Sequence, residues 1–104
     1  MNFNKENMEI LSKHVTLAHH IKGRVRFKID PKIQNYSEKI DLDGLGKLEE
    51  KINGIKNVSL NKLAKSLTIE YDHKIISHET WDELANSDNY EEIAIKLNNL
   101  LKED

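Results

Sequence analysis

The stretch Val15–Ile29, VTLAHHIKGRVRFKI, decides the fold, because apolar and polar residues alternate along it. Val15, Leu17, Ile21, Val25, Phe27 and Ile29 share one parity, broken only by His19 and Gly23. Thr16, His20, Lys22, Arg24, Arg26 and Lys28 share the other. Successive side chains of a strand point to opposite faces of its sheet. The pattern therefore predicts a half-buried β-strand, or two strands bent at Gly23. One sheet face then enters a core, and the other carries a basic stripe. By parity His19 is expected on the buried side and His20 on the basic side.

Outward from this stretch the elements separate. Pro31 ends the strand, and PKIQNYSEKI reads as a loop with one helical turn at most. Asp41 is a candidate N-cap for a helix in which Leu42, Leu45, Leu48, Ile52 and Ile55 fall at helical spacings, stopped by Asn53-Gly54. Two short strands follow at 57–61 and 66–72, close enough to form a hairpin. Ser77 then predicts a helix N-cap, with Ile76 and Trp81 as a hydrophobic staple across it. Asp88 with Glu91 makes a second capping pattern, before a stripe of Ile93, Leu97, Leu100 and Leu101. Residues 4–13 form a short polar helix or a loose arm, so the chain divides into an arm at 1–14 and a single domain at 15–104. The order is β-α-β-β-α-α. Two apolar helix faces must cover one apolar sheet face, which predicts an α+β two-layer sandwich of ferredoxin-like type. Its antiparallel sheet would hold about three strands, with the last strand of that fold replaced by helix.

Composition narrows the function. The chain has 104 residues, 38% hydrophobic and 33% charged, enough for one modest core. Sixteen Lys and Arg against eighteen Asp and Glu give a net charge of -2, so no global basic field points to nucleic acid. No apolar run approaches the roughly 20 residues of a membrane span, and MNFNKENMEI lacks a signal-peptide core. A cytoplasmic protein without direct membrane insertion is the expectation. There is no cysteine, hence no disulfide and no thiolate metal site.

Three segments together resemble a known family. HIKGRVRFKI, the helix ending in INGIKNVSLN, and AKSLTIEYD are similar to the cysteine-free branch of the heavy-metal-associated domains. His20, Gly23, Arg24 and Arg26 match its first segment; Gly54, Val58 and Asn61 its second; Ser66, Tyr71 and Asp72 its third. The resemblance covers about residues 17–72 and implies a ferredoxin-like metallochaperone fold. Such domains stand at the N-termini of metal-transporting P-type ATPases or alone as small proteins. Where the familiar members carry two cysteines between first strand and first helix, this chain has PKIQNYSEKID. Thiolate trafficking of soft metals is thereby excluded. The resemblance to the cysteine-free branch implies iron, and a metal-transporting ATPase or another protein as partner.

The residues themselves offer two constellations. His19 and His20, as adjacent strand residues, cannot chelate one ion together, although each is a candidate metal or haem ligand. His14 precedes the strand, while His73 and His78 read as exposed residues at element ends. Lys22, Arg24, Arg26 and Lys28, with His20, form a candidate anion or partner-binding face, since guanidinium groups grip carboxylates and phosphates bidentately. The plainer reading pairs the arginines with Glu70 and Thr68 on the neighbouring strand. Single-stranded RNA would need aromatic platforms on that face, and Phe27 and Tyr71 have the inward parity. Gly23-Arg24-Val25 is similar to an acylphosphatase loop but begins a strand rather than a helix, and no catalytic set stands out. The chain reads as a non-enzymatic binding or adaptor protein of metal transport or storage. The alternative is a haem protein, with His20 or His19 as axial ligand and Arg24 and Arg26 on the propionates. Self-association through an open edge strand is also expected.

Overall fold

The computed structural model describes residues 3–40 and 42–102. The alternating stretch becomes two strands, not one: β1 (Val15–Ile21) and β2 (Arg24–Ile29) form an antiparallel hairpin. Gly23 has φ +88°, left-handed backbone that only glycine adopts without strain, and so turns the chain within two residues. β3 (Ile55–Asn61) and β4 (Ser66–Tyr71) form the second hairpin, close to the expected positions. β4 pairs antiparallel with β2, giving one four-stranded sheet in the order β1-β2-β4-β3.

This is a ferredoxin-like α+β sandwich, with a correction to the expected sheet. β2 and β3 run parallel with β4 antiparallel between them, the split βαβ of that fold. The edge place beside β2 is filled by β1, from the N-terminal side. The arginine-bearing strand is therefore interior, and the edges are β1 and β3.

The helical layer covers one face. α1 (Lys5–His14) is capped by Asn4, whose side chain accepts from the Asn7 N–H, and buries Met8 and Ile10. Asn98 clamps the start of the chain, accepting from the Phe3 N–H at 3.1 Å and donating to the Phe3 carbonyl at 2.7 Å. The helix expected after Asp41 is short: α2 (Leu42–Leu45) gives way to a turn and a 3-10 segment at Leu48–Glu50. Gly44 and Gly46 explain the break, since glycine costs about 1 kcal/mol each in a helix interior. Leu45, Leu48 and Ile52 are nonetheless buried as their spacing implies. The expected Asp41 cap lies outside the described residues. Gly54, at φ +94°, turns the chain into β3, and an added Cβ would meet Ile75 Cγ2 at 2.7 Å.

α3 (His78–Asn86) starts at the expected cap, Ser77 accepting from the Thr80 N–H, with Ile76 and Trp81 both buried. α4 (Tyr90–Asn98) is capped one residue later than expected, by Asn89 rather than Asp88. Tyr71, Trp81 and Phe27 pack as tilted aromatic pairs, 5.1 and 6.2 Å between ring centres, where sheet meets α3. Such pairs contribute about 0.5–1.5 kcal/mol each beyond the area they bury.

Candidate functional site

A β-bulge sets the geometry of the first candidate site. Leu17 pairs with Phe27 but His19 with Arg26, so Ala18 is an extra residue on β1. The added residue reverses the parity of all that follows on the strand. Val15 and Leu17 face the core as expected; beyond the bulge, His20 turns inward while His19 and Ile21 turn out. The expected faces of His19 and His20 are therefore exchanged. His20 retains 4% of its side-chain exposure, and Ile21 is 49% exposed.

His20 enters a polar cluster between β1, β4 and α3. Its Nδ1 lies 3.1 Å from Asp82 Oδ1, and its Nε2 lies 2.6 Å from the Tyr71 hydroxyl. In the neutral ring the carboxylate, which only accepts, fixes the proton on Nδ1, so Nε2 accepts from the tyrosine. His78 stacks on His20, the rings 3.6 Å apart and 3° from parallel, and its Nε2 lies 3.7 Å from Asp82 Oδ2. The Tyr71 hydroxyl is pushed above the usual phenol range by burial.

Sequence reasoning reached His20 but not its neighbours. His78 was expected to be a solvent-exposed end of a helix; instead it packs ring to ring against His20. Asp82 and Tyr71 were not singled out as site residues. One signal was present: His78 and Asp82 are four apart, which places them on one helix face. Nothing in the sequence alone showed that β1 would bring His20 to that face.

The second candidate site is the open face of the sheet. Arg24, Arg26 and Lys28 alternate outward along β2 and are exposed, and Lys22 sits exposed in the turn. Arg24 lies opposite Glu70 and Arg26 opposite Thr68, the register the plainer reading required. No ion pair forms there: among the described residues, no carboxylate lies within 4.0 Å of the charged nitrogens of these four side chains. The acids pair elsewhere, as in Lys96 with Glu83 between α4 and α3, and Lys62 with Asp43. His20 does not join this face; His19, paired with Arg26, does. A haem ligated by His20 with its propionates on Arg24 and Arg26 is therefore not available, since the groups lie on opposite faces. A groove of about 380 Å³ lies at the Ile29 end of the sheet, lined by Ile29, Ile33, Ile40, Leu60, Lys62 and Lys65 among others, and it shares no lining residue with either site.

As donors for a metal, the side chains present suit a borderline ion and not a soft one. Among the described residues His20, His78 and Asp82 form a convergent set, with ligand atoms within 4.8 Å of one another. No helix among the described residues is long and apolar enough to cross a membrane.

The profile of the family Heavy metal associated domain 2 matches residues 2–103, and the chain belongs to that family. The match takes in α1 and α4 as well as the sheet. No curated protein and no solved structure matches.

Proposed function

Starting from a heavy-metal-associated domain that has no cysteine, we propose that the protein is a non-enzymatic binding or adaptor module of metal transport or storage, iron first among metals. It docks an acidic surface of its partner, a metal-transporting ATPase or a metal store, through Lys22, Arg24, Arg26 and Lys28. The observation that supports this reading is a row of four exposed cations, without ion-pair partners among the described residues, on the sheet face left open by the helices. Unpaired guanidinium groups are suited to bidentate capture of carboxylates. Strand addition by a second copy belongs at the edge strand β1, and a strict monomer by light scattering at the highest attainable concentration removes that part.

The test is capture from native lysate by the wild-type chain and by the folded double variant R24A/R26A. Recovery of a metal transporter or metal store by the wild type, lost in the variant, is the expected result. Equal recovery by the variant, or no metal-handling protein with either, overturns the reading. Haem carriage is the second reading, favoured at one place by His19 beside Arg26. A Soret shift on haem titration, lost in His19→Ala, would put it first.

A further inference from the structure

We infer that His20, His78 and Asp82 form a binding site for a borderline divalent cation of the ferrous-iron or zinc kind. Two imidazoles and one carboxylate, with the remaining positions open, are a donor set that suits these ions. The three residues come from two elements. α3 supplies His78 and Asp82 one turn apart, and the bulged end of β1 supplies His20. Donors about 2.0–2.1 Å from a tetrahedral ion stand roughly 3.3–3.5 Å from one another. The Asp82 oxygens already lie 3.1 Å from His20 Nδ1 and 3.7 Å from His78 Nε2.

The burial of the three fits an entry route. His20 is the enclosed anchor, while the side chains of His78 and Asp82 are 39% and 46% exposed, so an ion arrives from solvent onto their side. The parallel stacking leaves the two ring lone pairs in separate planes. One ring must turn, and His78, at the first position of α3, turns about its side-chain bonds with no change of backbone. Negative charge favours the site: Asp82 and Glu79 are both close enough to act on the Tyr71 hydroxyl. The cations of Arg24, Arg26 and Lys28 are on the other face of the sheet.

Tyr71 acts as a positioning residue. With the ion on Nδ1 of His20, the ring carries its proton on Nε2 and donates to the Tyr71 oxygen, reversing the present bond. The neutral ring keeps one proton throughout, and only the tautomer changes. Partners of this kind that orient a ligating histidine typically alter metal affinity about 10–100-fold when removed.

This site and the basic docking face are on opposite sides of the sheet, so their tests fail separately. The experiment is calorimetric titration of the full chain with zinc chloride and, without oxygen, with ferrous iron. Long-range ¹H–¹⁵N spectra of the histidine rings accompany it. One saturable site is expected, with His20 passing from the Nδ1–H to the Nε2–H tautomer as it fills. His78→Ala and Asp82→Asn, both at part-exposed positions, are expected to weaken binding about tenfold or more each, and Tyr71→Phe about tenfold. Absence of saturable binding to the wild type with both metals overturns the assignment. Binding that is unchanged in both His78→Ala and Asp82→Asn, or that leaves the His20 tautomer as it was, also overturns it.

Discussion

Tyr71 joins the core to the polar cluster through a single hydroxyl. It is 2% exposed and its oxygen bonds His20 Nε2. Tyr71→Phe keeps the ring packed but strands a buried imidazole nitrogen, and the expected cost is about 1–3 kcal/mol in urea denaturation. The same phenol gives the fold an alkaline limit. Its folded value lies above the ordinary 10.0, so as pH rises the unfolded chain ionises first. Stability from this group is whole below about pH 10 and falls as pH climbs through the folded value. Melting temperatures of the wild type should drop across that range, and those of Tyr71→Phe should lose this component. The two left-handed glycines differ in the same residue-level way. Gly54→Ala combines backbone strain with a Cβ 2.7 Å from Ile75, and should cost about 2–4 kcal/mol. Gly23→Ala has strain alone, its Cβ 3.5 Å from the Tyr71 carbonyl, and should cost about 1–2 kcal/mol. Equal costs for the two by urea denaturation would show that the overlap at Gly54 relaxes.

Among the elements, α3 carries most of the chemistry on one turn. Ser77 caps it, and the first residue it orders is His78. Ser77→Ala should cost about 0.5–2 kcal/mol of stability by thermal or urea unfolding. The fraying should be local, with amide exchange rising first at 78–82 and weakened stacking of His78 on His20. The bulge on β1 is the matching device in the sheet. A regular strand would send His20 out among the arginines; one additional residue sends it in against α3. The short α2 shows the reverse case, where apolar spacing is right for burial but two glycines forfeit the helix.

At the scale of the molecule, the sheet divides two kinds of charge. The helical side carries ion pairs such as Lys13 with Glu9 and Lys96 with Glu83, and among the described residues the cations of the open side, Lys22, Arg24, Arg26 and Lys28, have no ion-pair partner. Docking on that open face is a long-range electrostatic event between exposed groups, so it should weaken as salt rises. Raising salt from about 0.05 to about 0.5 M, which shortens the screening length several-fold, should reduce partner capture strongly. Metal binding by direct coordination should change far less over the same range. A partner complex indifferent to salt would place the contact elsewhere, at an apolar edge or groove.

Much of this protein is written in its sequence. Period-two alternation, helix spacing, the caps at Ser77 and the turn at Gly23 are local properties, and they specified an α+β sandwich and the outward row of Arg24, Arg26 and Lys28. Local pattern also carried the family resemblance, through residues that shape turns and strands. The fourth strand was not legible, because one alternating stretch with a glycine serves equally as a bent strand or as a hairpin. Pairing partners decided it: β1 found the free edge of β2. The histidine cluster was not legible either. His20 and Asp82 are 62 residues apart, and parity counted along β1 gave the wrong face, since a bulge is fixed by the register of the neighbouring strand and not by the strand's own composition. Sequence determined which faces exist; only tertiary pairing decided which side chains meet across them.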